Sequence, residues 1–572
     1  FICTHISVSR NVSGNRYAPT IPRLADDHMK IESASRLGIW SGAVYRYRVG
    51  LIALTIASLA FLLYVLTLAP GLTWRNSASD GGDLLTAAFT WGIPHPTGYP
   101  TYLILLRGFS AVIPTGSVAL HGNLFSAVTA SAAIGLLFMA TVRILRSLPL
   151  STGMTDRYVL ISAGVSSLSM AASRELWSQA TVTEVYALNA LFVSAVLLAT
   201  LGLRDRQSDG GVDWRYGAGI GLLFGLALGN HLTIAALILP LLAWGALGGG
   251  VRFLRIGHAL PILLAGALGL SVYAYAPIAS SQAPALNWGH PDSLQGFWWM
   301  VSGTVYQGYA FGVGGQELWD RLVTSADLLL AQFAFVGVLL GIAGLPIIWG
   351  HRRHLAIAHF VAVALLIAYA VSYRTVDSFI YLIPVFMLFS IWMAAGILRL
   401  LSNVDAIRPA VPALRSTRQL VISGTMLLVI VLAVPGFSIA TNFSQLDLSN
   451  DHEAADYSVA AFESMELESI VFTRTEHSVF SLWYQSYVAE TEQEVMPVSV
   501  PHIVFDWYWD DLVVQFPERM PATRPENIQD RVLAIIDHNL GINTLYEADA
   551  GMTALPGLRL VEDGVLLRIE PA

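Results

Sequence analysis

The feature that most constrains this chain is a succession of long apolar stretches separated by short polar loops. A helix needs about 20 apolar residues to cross the hydrocarbon core of a bilayer. Only 13% of the 572 residues are charged, against about 25% in soluble domains. We therefore predict a mostly α, polytopic membrane protein of about 11 transmembrane helices, with two short ones on either side of Asn230. The stretches are 49–69, 118–146, 156–173, 182–203, 216–231, 233–249, 256–278, 325–349, 355–373, 377–400 and 419–440.

The arginines favour one orientation of these helices. Cytoplasmic loops of membrane proteins carry an excess of Lys and Arg. With 11 crossings, every arginine-rich loop falls on one side, which we predict to be the cytoplasm. The stretch 99–114 is then an interfacial helix, because a crossing there would invert every later loop. The cytoplasmic residues are Arg46, Arg48, Arg143, Arg146, Arg157, Arg204, Arg206, Arg215, Arg252, Arg255, Arg352, Arg353, Arg399, Arg408, Arg415 and Arg418.

Composition divides the chain into three predicted parts. Residues 1–48 form an N-terminal cytoplasmic segment, residues 49–440 the transmembrane domain, and residues 441–572 a C-terminal extracytoplasmic domain. The last part carries 23 acidic residues against six arginines and no lysine. That charge is either a solvated surface or a docking face for an acceptor. Residues 1–28 lack apolar periodicity, and Met29 is a candidate start, which would make them an artefact of translation.

The C-terminal part has the pattern of a small α/β domain. Residues 469–473 and 498–509 are predicted strands, and 526–540 has the apolar spacing of an amphipathic helix. A further strand is predicted at 542–548, and residues 558–571 form a predicted hairpin around an Asp-Gly turn.

Polar segments gather on the side opposite the arginines. The stretch SDGGDLLTAAFTWGIPHPTGYP, residues 79–100, places Asp80, Asp83 and His95 beside the membrane. Its acids can cap a helix at 83–91, or one can act as a general base at the boundary between water and lipid. The other external segments are SRELWSQATVTEVY (173–186), GNH (229–231), NWGHPDS (287–293) and YRTVD (373–377).

Taken together, these segments resemble the GT-C membrane glycosyltransferases, and most closely domain-of-unknown-function family 2723, which includes an animal protein O-mannosyltransferase. The family pattern reads Asp-Ser-Gly-Glu and then His-Pro-Pro-Gly-Tyr-Pro. Here residues 80–83 read Asp-Gly-Gly-Asp and residues 95–100 read His-Pro-Thr-Gly-Tyr-Pro. Asp83 and Thr97 differ from the family pattern, which has Glu and Pro at these positions. Asp83 therefore has a shorter side chain than the family residue, near the proposed catalytic centre. Further matches are LWSQATVTEVYALNALF (176–192), LGNHLT (228–233), APIASSQAPALNWGHP (276–291) and DSFIYLIP (377–384).

The resemblance implies a GT-C fold and an inverting sugar transfer. The donor would be a polyprenyl-phosphate sugar in the outer leaflet, and the acceptor a hydroxyl of an exported protein, a lipid or a glycan. The sugar would be mannose, as in the animal relative, or another sugar. Such a single displacement needs a base and cationic groups but no cofactor. The sequence has no Gly-x-x-x-x-Gly-Lys phosphate loop, and no nucleic-acid partner is expected. The protein is then a multi-pass protein of the plasma (inner) membrane.

By the same resemblance, Asp80 is the predicted catalytic base, supported by Asp83. Arg374, beside Asp377, and Arg174 are candidate ligands of the donor phosphate, because a guanidinium pairs two phosphate oxygens. Each arginine can instead form a local ion pair. The remaining predicted substrate-binding residues are His95, Tyr99, Glu184, Asn230, His231, Asn287, Asp377 and Tyr381.

Several of these assignments have structural alternatives. His95 can brace its loop, His231 can be a hydrogen-bonded structural histidine, and Glu184 can cap a helix. Asp80, Asp83 and His95 also offer oxygen and nitrogen ligands for a divalent metal. We predict no metal, because three ligands of undefined geometry are too few to indicate a site.

Two other classes of protein fit the apolar stretches. A transporter or flippase would place polar residues near the midplane of the membrane and show inverted repeats, and neither pattern is evident. A non-catalytic scaffold would use the acidic tail to bind a partner. Neither class needs Asp80, so the transferase is the favoured hypothesis.

Overall fold

The structure, a computed structural model, describes residues 24–149, 156–208, 213–247, 256–407, 417–489, 494–549 and 557–572. It divides into two units, residues 1–52 and 53–572. Of the first unit, the structure describes residues 24–52, which form the beginning of helix α1. In chain order the helices are α1 (Leu24–Leu66), α2 (Gly81–Thr90), α3 (Pro100–Ser110), α4 (Val118–Arg146), α5 (Asp156–Ala171), α6 (Arg174–Ala180), α7 (Val185–Ser208), α8 (Trp214–Leu228), α9 (Ile234–Leu247), α10 (Ile256–Leu270), α11 (Tyr275–Ser280), α12 (Leu294–Val301), α13 (Gly315–Ser372), α14 (Ile383–Ile407), α15 (Thr417–Leu446), α16 (Glu453–Ser464), α17 (Glu476–Tyr487), α18 (Asp506–Gln515) and α19 (Ile528–Asn539).

Each predicted apolar stretch contains a helix, and α13 contains two of them. Its backbone leaves helical geometry at Ala334 and again at Arg352, so it consists of three helical pieces. Among the described residues, six helices are long and apolar enough to cross a membrane. The mostly α, polytopic membrane class is therefore confirmed, whereas the number of 11 crossings stays a prediction.

Short helices lie between the long ones. The segment predicted as an interfacial helix at 99–114 contains α3, which has 11 residues. At 1.5 Å per residue it is about 16 Å long, which is too short to cross a bilayer. Polar residues begin several helices, as at Ser117, whose side chain accepts a hydrogen bond from the Leu120 N–H at the start of α4.

The C-terminal region is a small α/β domain, as the sequence predicts. Its sheet has the order β2-β1-β3-β5-β4. β1 is parallel to β2 and β3, and β5 is antiparallel to β3 and β4. The strands are β1 (Ile470–Thr473), β2 (Met496–Ser499), β3 (Leu545–Glu547), β4 (Leu558–Asp563) and β5 (Leu566–Pro571).

One strand prediction is wrong in its larger part. Residues 498–509 are not one strand, because β2 ends at Ser499 and α18 begins at Asp506. Tyr508, Trp509 and Leu512 are buried on one face of that helix. A short run of aromatic and apolar residues does not distinguish a strand from a helix by periodicity alone.

Helix α17 of the C-terminal domain packs directly against α2. A Cβ atom on Gly82 would lie 2.3 Å from the backbone oxygen of Phe480, so only glycine permits this approach. The Trp74 indole, just before α2, donates to the His477 backbone oxygen (3.1 Å) and to the Ser481 Oγ (2.9 Å). The C-terminal domain therefore lies on the same side of the helices as the stretch 79–100.

Candidate active site

Residues 79–100 fold as α2 followed by an irregular stretch that leads into α3. Asp80 occupies the N-cap position of α2, but its side chain makes no capping hydrogen bond. Helix α2 ends at Trp91, which is left-handed (φ 54°), and the backbone of Ile93 then forms an isolated bridge with Asn287. The helix-cap alternative therefore does not account for the Asp80 carboxylate.

The Asp83 side chain is fully buried and completely used by internal hydrogen bonds. Its Oδ2 accepts from the His95 backbone N–H (3.0 Å) and from the His95 Nδ1–H (2.7 Å). Its Oδ1 accepts from the Trp288 Nε1–H (3.1 Å). These bonds fix the proton on Nδ1 of His95 and the orientation of its ring. Asp83 thus holds His95 and reaches no solvent.

The other ring nitrogen of His95 faces Asp80. Its Nε2 lies 3.5 Å from the Asp80 Oδ2, and the Asp80 side chain is 35% exposed. Burial raises the pKa of Asp80 to about 6, although His95 opposes the shift. Burial alone would lower the pKa of His95, but the Asp80 and Asp83 carboxylates outweigh it and raise that pKa to about 9. Near neutral pH, Asp80 is therefore a carboxylate of raised basicity beside a protonated imidazole.

Two further predicted acids lie within electrostatic reach of Asp80. Glu184 is buried just before α7, and its carboxylate accepts from the Val185 N–H (3.3 Å). The charges of Glu184 and Asp80 interact. Asp377 begins a 3-10 turn ahead of α14, and its charge adds to the rise of the Asp80 pKa. His95 thus lies near three predicted carboxyls, those of Asp80, Asp83 and Glu184, each of which raises its pKa.

Aromatic rings form one wall of this centre. The Tyr99 ring is 5.0 Å from the His95 ring and stacks on His231 at 6.1 Å. His231 also contacts Tyr186 (5.5 Å) and Tyr381 (5.6 Å). A histidine between tyrosines offers rings and hydrogen-bonding groups that suit a polyhydroxylated ligand.

The two predicted asparagines support the backbone around the centre. The Asn230 Nδ2 donates to the Val185 backbone oxygen (3.2 Å), which anchors the start of α7 beside Glu184. Asn287 pairs with Ile93 through the backbone. Both side-chain oxygens are buried without a partner among the described residues.

The predicted arginines occupy different surroundings. Arg374 is exposed, and its backbone N–H donates to the oxygen of Tyr309 (2.9 Å), whose ring stacks on that of Tyr306 at 6.4 Å. Among the described residues, its guanidinium forms no ion pair with Asp377 or with another acid. Arg174 instead lines a separate recess of about 470 Å³ together with Arg75 and Glu175. The local ion-pair alternative therefore fails for Arg374, whereas Arg174 does not join the Asp80 group.

Three residues near the centre escaped sequence analysis. The Tyr306 ring lies 6.4 Å from the His95 ring. Trp288 is buried and bonds to Asp83, although a tryptophan beside a membrane usually suggests an interfacial anchor. Glu476, at the start of α17, adds negative charge near Asp80. Tyr306 and Glu476 follow no recognisable local motif, and Trp288, although it lies in the segment 287–293, reaches Asp83 only through tertiary packing.

In the part of the chain that the structure describes, no group of three or more His, Cys, Asp or Glu residues is arranged to hold a metal ion. Of the three candidate metal-type ligands, Asp83 bonds to His95, and Asp80 lies 3.5 Å from the His95 Nε2. Our expectation of a metal-independent site stays a prediction.

Comparison with known proteins supports the resemblance seen in the motifs. Residues 80–248 match the family model "Protein O-mannosyl-transferase TMEM260 N-terminal domain". The match begins at Asp80 and ends at residue 248, directly after α9, so it contains the stretch 79–100 almost entirely. The resemblance that the motifs suggested is confirmed.

Two curated relatives are both named protein O-mannosyl-transferase TMEM260. The TMEM260 protein of Mus musculus is 31% identical over 273 residues, which are 46% of this chain and 35% of the relative. That of Dictyostelium discoideum is 24% identical over 312 residues, which are 51% of this chain and 36% of the relative. The matched stretch thus spans about a third of the length of these relatives. Both are named as protein O-mannosyl-transferases.

The fold resembles a solved GT-C structure over nearly its whole length. ArnT from Cupriavidus metallidurans, bound to undecaprenyl phosphate, has a TM-score of 0.55 and 11% identity, and the match covers 91% of this chain and 97% of ArnT. The apo form of the same protein has a TM-score of 0.54 to this chain. At this identity the likeness shows the fold alone, and it confirms the predicted GT-C fold.

Proposed function

We propose that this protein transfers mannose from a polyprenyl-phosphate donor to a serine or threonine hydroxyl of an exported protein, with inversion at the anomeric carbon. The observation that carries the proposal is the Asp80 carboxylate, which faces a histidine that a buried aspartate holds in place. The relatives' name supports the sugar and the protein acceptor. The ArnT structure supports a polyprenyl phosphate as the lipid of the donor.

Asp80 is the general base in this proposal. As the acceptor oxygen attacks the anomeric carbon, its proton passes to the Asp80 carboxylate. The bond between the anomeric carbon and the phosphate oxygen breaks, and the electron pair leaves with the polyprenyl phosphate. A carboxyl of pKa about 6 is ionised at neutral pH and is more basic than an ordinary aspartate, which suits general-base catalysis.

Cationic groups stabilise the leaving phosphate. Arg374 has an exposed guanidinium that forms no ion pair among the described residues, and His95 carries a proton below pH 9. Charge stabilisation by such pre-positioned donors is commonly the largest contribution to catalysis. The tyrosines around His231 then bind the sugar ring.

The proposed topology places this centre and residues 441–572 outside the plasma membrane. Cysteine-accessibility labelling of single-cysteine variants tests it. Positions in the C-terminal domain should react from outside, and positions after 146, 203 and 349 should not. A tail that reacts only from the cytoplasm would contradict the site assignment.

The function is tested with the purified full chain, a polyprenyl-phosphate [³H]mannose and a Ser/Thr-rich peptide. The wild type should yield a mannosylated peptide with the anomeric configuration opposite to that of the donor. Asp80→Asn should retain donor binding and lose transfer by about 10²- to 10⁴-fold. Transfer at the wild-type rate by folded Asp80→Asn would move the base to another carboxyl. Mass spectrometry of exported proteins and glycolipids, with and without the gene, would reveal a different acceptor class.

A further inference from the structure

The segment after α13 bears two predicted site residues but little regular structure of its own. Helix α13 ends at Ser372, and the next helical turn begins at Asp377. Arg374 lies between them and is exposed. A segment of this kind needs contacts from elsewhere in the fold to present Arg374 and Asp377 in one geometry.

Arg321, near the beginning of α13, supplies these contacts. Its guanidinium is partly buried against the end of the same long helix, and every acceptor within reach lies between residues 370 and 378. Its Nε–H donates to the Val371 backbone oxygen (2.9 Å), and its Nη2 lies within hydrogen-bond distance of the backbone oxygens of Ala370 (3.4 Å), Tyr373 (2.8 Å) and Thr375 (3.0 Å) and of the Ser378 Oγ.

These acceptors join two pieces of structure. The oxygens of Ala370 and Val371 belong to the last turn of α13, where carbonyl groups have no helical donor and a cation is favoured by the helix dipole. The oxygens of Tyr373 and Thr375 lie beyond the helix, on either side of Arg374. One planar guanidinium therefore ties the end of the helix to the segment that bears Arg374.

The flat face of the guanidinium makes a further contact. It lies 4.8 Å from the centre of the Phe379 ring, in a cation–π contact. Phe379 follows Asp377 in the same 3-10 turn. Arg321 is thus held from the helix end, from the connecting segment and from the turn that begins α14. A lysine keeps the charge but offers only a point-like group of donors.

We propose that Arg321 is a positioning residue of the sugar transfer: it fixes residues 373–377 so that Arg374 and Asp377 face the centre at Asp80. The inference rests on the proposed function. It assigns a role to a residue that lies outside the centre and whose guanidinium binds the protein's own backbone. A merely structural arginine would affect stability without distinguishing between the two substrates.

The test uses Arg321→Lys and Arg321→Met in the purified full chain. A small misplacement of a positioning group can cost on the order of 10²-fold in rate, so kcat/KM for the lipid donor should fall by about that factor in Arg321→Met and by less in Arg321→Lys. The KM for the peptide acceptor should change little. Amides of residues 373–378 should exchange hydrogen faster in both variants, since their backbone loses its tether.

Arg519→Lys is the matched control. Arg519 is also a buried arginine that donates to a backbone oxygen, that of Glu494 (2.7 Å), but it lies in the C-terminal domain. This variant should lower the thermal unfolding midpoint and leave the donor KM unchanged.

The outcomes separate the two proposals. If the wild type transfers sugar and the Arg321 variants change only the unfolding midpoint, as the control does, the positioning role is refuted and the proposed function stands. If the wild type transfers no sugar from the lipid donor, the proposed function fails and the role of Arg321 fails with it. A selective donor defect with faster exchange at 373–378 supports both.

Discussion

Replacing Asp83 by Asn distinguishes its role from that of Asp80, three residues earlier. The buried Asp83 carboxylate accepts two hydrogen bonds from His95 and one from the Trp288 indole. An amide offers one accepting oxygen, whereas its NH2 group only donates. In either orientation of the Asn side chain, the NH2 group therefore faces an N–H donor.

The cost follows from the better of the two orientations. With the amide oxygen towards His95, both of those bonds persist but lose the help of the negative charge, at about 1 kcal/mol. The Trp288 N–H then faces the amide NH2 and is left buried without an acceptor, at about 1–3 kcal/mol. We expect Asp83→Asn to lower the free energy of unfolding by about 2–4 kcal/mol. It should also lower the pKa of His95, since the Asp83 charge helps to raise that pKa.

Asp80→Asn is the matched comparison. The Asp80 side chain is 35% exposed and makes no capping bond, so its amide should leave the unfolding free energy nearly unchanged while transfer falls. Thermal unfolding and peptide mannosylation of both variants, measured in one detergent, decide between the roles. An Asp83→Asn variant as stable as the wild type would refute the hydrogen-bond assignment. Asp83→Glu, although it restores the usual family residue, adds a methylene to a fully buried site and should cost about 1–3 kcal/mol.

The remaining predictions concern pH, the donor and the domain contact. Transfer needs ionised Asp80 and protonated His95, so its rate should fall below about pH 6 and above about pH 9. His95→Gln should abolish the upper limb of the pH–rate profile; a limb that persists would assign it to another group. Arg374→Ala should raise the donor KM more than Arg374→Lys, which keeps the charge, and equal wild-type values for both would remove Arg374 from the site. Gly82→Ala should separate α17 from α2 and lower both stability and transfer. Gly108→Ala, in a helix with open space around the glycine, should be neutral or stabilising by comparison.

Much of the fold could be predicted because the signals are local. An apolar stretch long enough to cross a bilayer must satisfy its backbone hydrogen bonds internally, so it has to be helical. The hairpin of β4 and β5 likewise follows from an Asp-Gly turn between alternating residues. The strand prediction at 498–509 was wrong because it too relied on local signals. Short apolar runs such as those on either side of Pro501 contain no signal that separates a strand from a helix.

The sequence also indicated where the chemistry lies. Asp80, His95 and Tyr99 belong to one compact motif, and the structure keeps them within one group of contacts. Their separate roles did not follow from the motif. Asp80 and Asp83 look alike in sequence, but one reaches solvent and the other is sealed in by Trp288, which lies about 200 residues further along the chain.

The sequence by itself therefore determined the helices, the side of the helices on which the polar motifs gather, and the resemblance of residues 80–248 to a protein O-mannosyl-transferase domain. Only the tertiary structure decided that Asp83 holds His95, that Arg174 lies in a different recess from Asp80, and that Arg321 fastens the segment around Arg374. The physical reason is that helix formation depends on neighbours within a few residues. Burial, pKa shifts and hydrogen bonds between distant segments depend on which helices pack together, and a single sequence records that packing only indirectly.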